Sequence, residues 1–310
     1  MRYYALSTYL RQRFGCRVYK IPVHAGFTCP NRDGTISRKG CIFCWNPSFS
    51  PVAESEPASL HEQIIKGKAR KQKEGHKFLV YFQPFTNTYA PVEKLRLLYD
   101  QVLKEPDVLG MCIATRPDCV PDEVLDLLEE YASRWHIWLE LGLQSAHNHT
   151  LALINRGHRR DDFEDAVARS QGRGIFLCAH VILGLPGELR EDMLETAVFL
   201  SSQGIQGVKI HHLQVIDHTP LADMYRRGEV KTLTFMEYVG LVCDFLEHLR
   251  SDLVIHRLMG DVLDSDYLLA PRWNVGKAQV IGAIERELER RNRRQGSKWS
   301  GKVISTGGLW

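Results

Sequence analysis

The chain has 310 residues, of which 44% are hydrophobic and 25% charged, the composition of a globular protein with a sizeable core rather than of a disordered or membrane-embedded one. Its formal charge of +3 is too small to announce nucleic-acid binding. No apolar run approaches the roughly 20 residues of a membrane span, and the first residues lack the apolar core and cleavage site of a secretory signal, so a cytoplasmic location without membrane attachment is expected.

In chain order, Tyr3 to Phe14 has the spacing of a short amphipathic helix that Gly15 can end. Arg17-Val18-Tyr19-Lys20-Ile21-Pro22-Val23 reads as a first strand. The stretch from Cys29 to Cys44 follows as an irregular loop rich in Gly, Asn, Asp and Ser, and it holds three of the chain's eight cysteines. A Cys-x-x-Cys turn at Cys41 and Cys44 lets two thiolates reach one metal centre, either zinc or iron-sulfur iron, and Cys29 delivers a third sulfur. His24 is the candidate fourth ligand, which would complete a closed zinc site. In a reducing compartment the remaining cysteines are expected to be free. They are scattered, so one metal site is expected, with Cys119 or Cys178 as lone thiols that can face an active site.

After a helix expected from Pro57 to Lys73, the chain alternates short apolar runs with amphipathic helices. Strands are predicted at Phe78 to Phe82, Leu109 to Ala114, Ile137 to Leu143, Ile175 to Leu183 and Ile205 to His212. Helices are predicted at Val92 to Lys104, Pro121 to Ser133, Arg160 to Gln171 and Leu189 to Ser202. This alternation argues for a parallel sheet covered by helices, in fewer units than a closed barrel needs. The expected fold is α/β, a partial (β/α)6 TIM-like barrel over residues 1–220, with a C-terminal α/β extension over 221–310 packed on it. That extension reads as a helix at Phe235 to Arg250, a strand at Leu253 to Leu258 and a helix at Val275 to Arg294. The Gly- and Ser-rich stretch from Gly296 to Trp310 is expected to be mobile.

Each strand runs into a polar or glycine-containing loop, where active sites sit in parallel barrels. The second strand runs into Gln83-Pro84-Phe85-Thr86-Asn87-Thr88-Tyr89. Thr115-Arg116-Pro117-Asp118, after the third, reads by itself as a turn with Asp118 near a helix start. Glu140, inside the fourth strand, favours function, because a carboxylate is costly to bury without a partner. Gly184, Gly187 and Glu188 fit a strand-to-helix turn as well as a ligand contact. His211, His212 and His218 follow the sixth strand and read as satisfied polar residues ahead of substrate contacts. On the terminal helix, Arg286, Arg290 and Arg293 or Arg294 can share one face. A salt-bridged surface is the favoured reading, and a contact for RNA with Lys298, Trp299 and Lys302 is the alternative.

With Cys29, Cys41 and Cys44 followed in order by Glu140 to Ser145 and Gly184 to Glu188, the chain resembles the radical S-adenosylmethionine (SAM) superfamily. The eleven residues between Cys29 and Cys41 exceed the spacing of many members. That gap is similar to the YhcC/YtqA-like branch, also called MnmL-like. So are Val18 to Val23, Thr86 to Pro91, Thr115 to Cys119 and Asn155-Arg156-Gly157-His158, and the similarity continues through His256-Arg257-Leu258 and Ala270-Pro271-Arg272-Trp273.

The resemblance implies a [4Fe-4S] cluster on Cys29, Cys41 and Cys44, with the fourth iron left to the amino and carboxylate groups of SAM. One-electron reduction would cleave the cofactor to methionine and a 5′-deoxyadenosyl radical that takes a substrate hydrogen. It further implies that Gln83 and Thr86 meet the methionyl amino group, that Glu140 and Gln144 approach the ribose or methionine part, and that Ile182 and Gly184 lie near the adenine. Arg156 would partner the carboxylate through its planar fork. The implied substrate is tRNA, with the carboxymethylaminomethyl side chain of the wobble uridine converted to aminomethyl. A one-electron donor such as flavodoxin or ferredoxin and a downstream tRNA methyltransferase are the implied partners. Two other readings stand beside this one: a zinc-stabilised, nonenzymatic tRNA-binding protein, and a radical SAM enzyme acting on a different modified nucleoside. A methylthiolating enzyme is disfavoured, because the scattered cysteines offer no second cluster.

Overall fold

The computed structural model describes residues 1–48, 58–71, 75–261 and 265–301. Pro57 and Lys73, the expected ends of one helix, Lys302, and the tail after residue 301 lie outside the described residues. Strands form at the apolar, β-branched runs: β1 (Val18–Val23), β2 (Lys77–Phe82), β3 (Val108–Thr115), β4 (His136–Gln144), β5 (Phe176–Leu183) and β6 (Gly207–His212). All pair in parallel and in sequence order, and a seventh strand, Val254–Arg257, adds in parallel to β6. Parallel neighbours need crossovers. These contain the helices Leu60–Ala69, Val92–Leu103, Asp122–Ala132, Arg160–Ser170 and Arg190–Ser202. The expected partial barrel is therefore present as a curled half-barrel, and a strand from the C-terminal region belongs to its sheet.

Side chains alternate faces along a strand, and this period builds two cores. On β4, Ile137, Leu139, Leu141 and Leu143 pack outward with Tyr99, Leu128 and Phe163 of the helices. The intervening positions enter the barrel. Its floor is apolar: Trp138, Cys112, Phe176 and Cys178 pack with Tyr9 and Leu10 of the N-terminal helix Leu6–Phe14. The Tyr9 ring meets Trp138 edge-on at 5.8 Å, and the Ile255 N–H of the seventh strand donates to the Tyr4 carbonyl at 2.7 Å. The helix thus packs under the floor beside the last strand. Gly15 ends it in a left-handed conformation at φ 67°, as expected.

The helices Phe235–His248 and Lys277–Arg290 contribute Val242, Phe245, Ile284 and Leu288 to the outer core. On the arginine-rich segment, Arg290 pairs with Glu287 at 2.8 Å, Arg291 with Asp244 at 2.9 Å and Lys298 with Glu247 at 2.9 Å. For these three side chains the salt-bridged reading holds, and Arg291 and Lys298 tie the C-terminal segment to the preceding helix. None of the described helices is long and apolar enough to cross a membrane.

Candidate active site

After β1 the chain leaves the sheet to build the cysteine loop. Cys29 precedes a single helical turn, Pro30–Asp33, which opens on Pro30 and ends at Gly34 with φ 103°. The loop then folds back, with the Ile36 N–H donating to the Pro30 carbonyl and the Gly40 N–H to the Asn31 carbonyl, both at 2.8 Å. Fully buried Asn31 donates through Nδ2 to the Asn155 carbonyl at 2.6 Å, and Asn155 Nδ2 returns a bond to the Gly40 carbonyl at 2.6 Å. The long gap between Cys29 and Cys41 is therefore a loop stitched to the segment around Asn155. Donors surround the sulfurs: Asn31 Nδ2 and Arg156 Nη1 lie 3.5 Å from Cys41 Sγ, and Arg32 Nη1 lies 3.7 Å from Cys44 Sγ.

These donors orient the sulfurs of Cys41 and Cys44 for a metal centre. Burial first, and then Cys41, push the Cys44 thiol up to about 11 against the opposing pull of Arg32. A metal centre held by Cys29, Cys41 and Cys44 would favour the thiolate of Cys44 over the thiol. Among the described residues, the three cysteine sulfurs do not all lie within 4.8 Å of one another. Three soft sulfurs delivered by one loop suit zinc or iron-sulfur iron. All eight cysteines are free thiols.

A cavity opens at the C-terminal ends of the strands. Of the residues singled out in the sequence, Cys29, Cys41, Cys44, Gln83, Thr86, Gln144, Arg156 and Ile182 line it, as do His211 and His212. Glu140 and Gly184 are not among the lining residues. Gly184 makes the turn after β5 at φ 87°, and its N–H donates to Met193 Sδ at 3.0 Å. His24 does not line the cavity either: its Nδ1 accepts from the Gly26 N–H at 3.0 Å, and its ring lies 5.7 Å from Phe85. The proposed Cys3His zinc site therefore lacks its fourth ligand. His218 packs on Trp45 at 5.5 Å, while Cys119 and Cys178 are buried away from this cavity.

Arg156 is the hub beside the cysteines. Its Nη2 donates to the Gly142 carbonyl at 2.8 Å, and its own carbonyl accepts from Arg116 Nη1 at 2.7 Å. A Cβ on Gly142 would sit 2.6 Å from Arg156 Nη2, so this glycine leaves the room the guanidinium occupies. Arg116 is itself buried and forks onto Asp118 at 2.9 and 2.7 Å. The Thr115–Asp118 segment is thus more than a turn, since it supports Arg156 from behind. At the end of β4, Gln144 adopts φ 73°, a left-handed conformation unusual for its residue type.

A charged network centred on Glu140 reaches the cavity wall, where His180 and Lys209 line it. That carboxylate is fully buried and meets Lys20 Nζ of β1 at 2.5 Å, Lys209 Nζ of β6 at 2.9 Å and His180 Nε2 of β5 at 2.7 Å. His256 Nδ1 of the seventh strand lies 3.4 Å away. Burial opposes ionisation of Glu140, but the two lysines and the histidine hydrogen bonds hold its carboxyl well below the usual range. Burial pulls Lys209 down to about 8, with Glu140 resisting and Arg257 and Lys20 adding to the fall. His180 is lowered to about 4, chiefly by burial, so it is neutral at physiological pH and donates from Nε2. Lys20 and Lys209 each interrupt an apolar strand, the same signal that singled out Glu140.

Comparison with known proteins identifies the family. Residues 29–200 match the Radical SAM superfamily and residues 205–290 the Radical_SAM C-terminal domain. The chain belongs to the radical SAM superfamily, whose members use a [4Fe-4S] cluster and SAM. Within it, the chain is 42% identical to protein YtqA of Bacillus subtilis strain 168 over 297 residues, covering 95% of this chain and 92% of that protein. It is 38% identical to protein YhcC of Escherichia coli strain K12 over 280 residues, covering 90% of each, which places it in the YhcC/YtqA-like branch. A shorter stretch of 139 residues is 34% identical to the tRNA uridine(34) acetyltransferase of Methanocaldococcus infernus, covering 43% of this chain and 25% of that protein. The fold is shared with the archaeal M. infernus Elp3 structure at a TM-score of 0.63 and 18% identity, over 90% of this chain and 64% of that one.

Proposed function

We propose that this chain is a tRNA-modifying radical SAM enzyme that converts the carboxymethylaminomethyl side chain of wobble uridine to aminomethyl. The observation that carries the chemistry is the convergence of Cys29, Cys41 and Cys44 on one cavity whose lining omits His24. Three sulfurs on one cavity, with His24 outside its lining among the described residues, suit a cluster that keeps one iron for SAM. When bound, the cluster and SAM together supply a strong hydrogen-abstracting radical.

The chain's own residues bind, orient and shield. Arg156, fixed between the Gly142 carbonyl and Cys41 Sγ, offers its fork to the methionyl carboxylate. Gln83 and Thr86 at the end of β2 receive the amino group, and Gln144 and Ile182 flank the nucleoside. Glu140 acts from below by holding Lys209 and His180 in place. A one-electron donor such as flavodoxin or ferredoxin serves the cluster, and a separate tRNA methyltransferase takes the aminomethyl product. The partial likeness to a tRNA uridine(34) acetyltransferase supports the choice of nucleoside. Mass spectrometry of tRNA nucleosides tests it: a deletion strain accumulates the carboxymethylaminomethyl form, and an unchanged wobble profile overturns the substrate.

A further inference from the structure

β6 and the seventh strand set Lys209 and Arg257 side by side as cross-strand partners, and both side chains line the cavity. The charges on this wall do not balance. Among the described residues, the carboxylates that line or underlie it are Glu140 and Asp261. Glu140 already faces two lysines, Lys20 and Lys209. Asp261 lies 2.7 Å from Lys277 and only 3.8 Å from Arg257, and that long contact is the one ion pair Arg257 makes among the described residues. Burial keeps His180 and His211 neutral, and Arg257 and Lys209 press His211 further in the same direction. His211 Nε2 is buried with no hydrogen-bond partner among the described residues, and its ring stacks on His180 at 5.9 Å.

The partly exposed Arg257, with one long ion pair, and His211 Nε2, which can donate once it carries the ring proton, together favour an anion that docks there. We propose that Lys209, Arg257 and His211 form a carboxylate-binding subsite that receives the acidic end of the substrate's side chain. This rests on the wobble-uridine reading. The carboxymethylaminomethyl group ends in a carboxylate that the aminomethyl product lacks, so the same three residues distinguish substrate from product. Arg257 supplies a planar fork for two carboxylate oxygens, and Lys209 supplies a point charge.

The test uses the full chain, anaerobically reconstituted, with 5-carboxymethylaminomethyluridine and its carboxamide counterpart as probes in equilibrium dialysis. The unaltered chain binds the carboxylate about 10- to 100-fold more tightly, the range of a charge-assisted contact. Arg257→Gln brings that ratio close to one, and Arg257→Lys keeps part of it. Equal binding, or no binding, of the two probes by the unaltered chain overturns the subsite. So does an Arg257→Gln variant that weakens both probes alike, which is the mark of a structural role. If Arg257→Gln weakens SAM binding as much as carboxylate binding, the anion is the cofactor's methionyl carboxylate and the substrate assignment falls. Failure of the wobble-uridine reading appears separately, in the tRNA nucleoside profile.

Discussion

Replacing Glu140 by Gln keeps the shape of the side chain and removes the one carboxylate that Lys20, Lys209, His180 and His256 share. Stripping one partner from a buried ion pair costs about 3–5 kcal/mol. An independent bound comes from Lys209, which escapes the unpaired state by releasing its proton. From an ordinary value of 10.5, that release at pH 7 costs about 5 kcal/mol, at roughly 1.4 kcal/mol per pH unit. The folded value for Lys209 lies below the unfolded one, so burial of its charged form opposes folding in full below about 8 and fades as pH rises towards 10.5. By pH 9 Lys209 is largely neutral with or without Glu140. Urea unfolding of parent and Glu140→Gln chains in the same metal state should therefore show a loss of about 3–5 kcal/mol at pH 7 and about 1 kcal/mol less at pH 9. A loss below about 1 kcal/mol at pH 7, or one that grows with pH, would show that Glu140 does not hold the two lysines in their charged form.

Gly142→Ala places a Cβ 2.6 Å from Arg156 Nη2 and 2.8 Å from Gln144 Nε2. Both are ends of side chains that can swing away, so stability falls by only about 1–2 kcal/mol, but SAM affinity measured by equilibrium dialysis falls as Arg156 leaves Cys41. Gly110→Ala meets the His136 carbonyl oxygen at 2.0 Å instead. Backbone cannot swing, and thermal unfolding should register a loss above about 3 kcal/mol. Cys119→Ala and Cys178→Ala alter thiols outside the cavity lining, so iron content after reconstitution should match the parent.

Much of the fold was legible because it rests on local pattern. The strand expected from Phe78 to Phe82 lies within one residue of β2 (Lys77–Phe82), since a short apolar, aromatic-rich run bounded by polar and glycine-containing segments favours a buried strand. What the sequence hides is which inward positions meet. Lys20, Glu140 and Lys209 stand on β1, β4 and β6, far apart in the chain, and only curling of the sheet brings them to one point. Each carried the same signal, a charge inside a buried strand, and a reading that paired them by sign would have found the network. The strand near His256 was also legible, but its place beside β6 depends on pairing across a long excursion of the chain.

At the site, the thiolates announced themselves through their spacing, whereas Asn31 and Arg116 are ordinary polar residues until the fold buries them against Asn155 and Arg156. His24 shows the reverse. Its nearness in sequence to Cys29 suggested a ligand, and the hydrogen bond from Gly26 to its ring commits it elsewhere.

In the proposed function, Cys29, Cys41 and Cys44 hold a cluster with one iron open to SAM. Anaerobic reconstitution followed by iron and sulfide analysis tests it most directly, with 5′-deoxyadenosine measured after addition of a reductant. The expected result is about four irons and four sulfides per chain, reductant-dependent 5′-deoxyadenosine, and loss of both when any one of the three cysteines becomes alanine. A single zinc with neither iron nor sulfide, or 5′-deoxyadenosine that persists without Cys44, would contradict it.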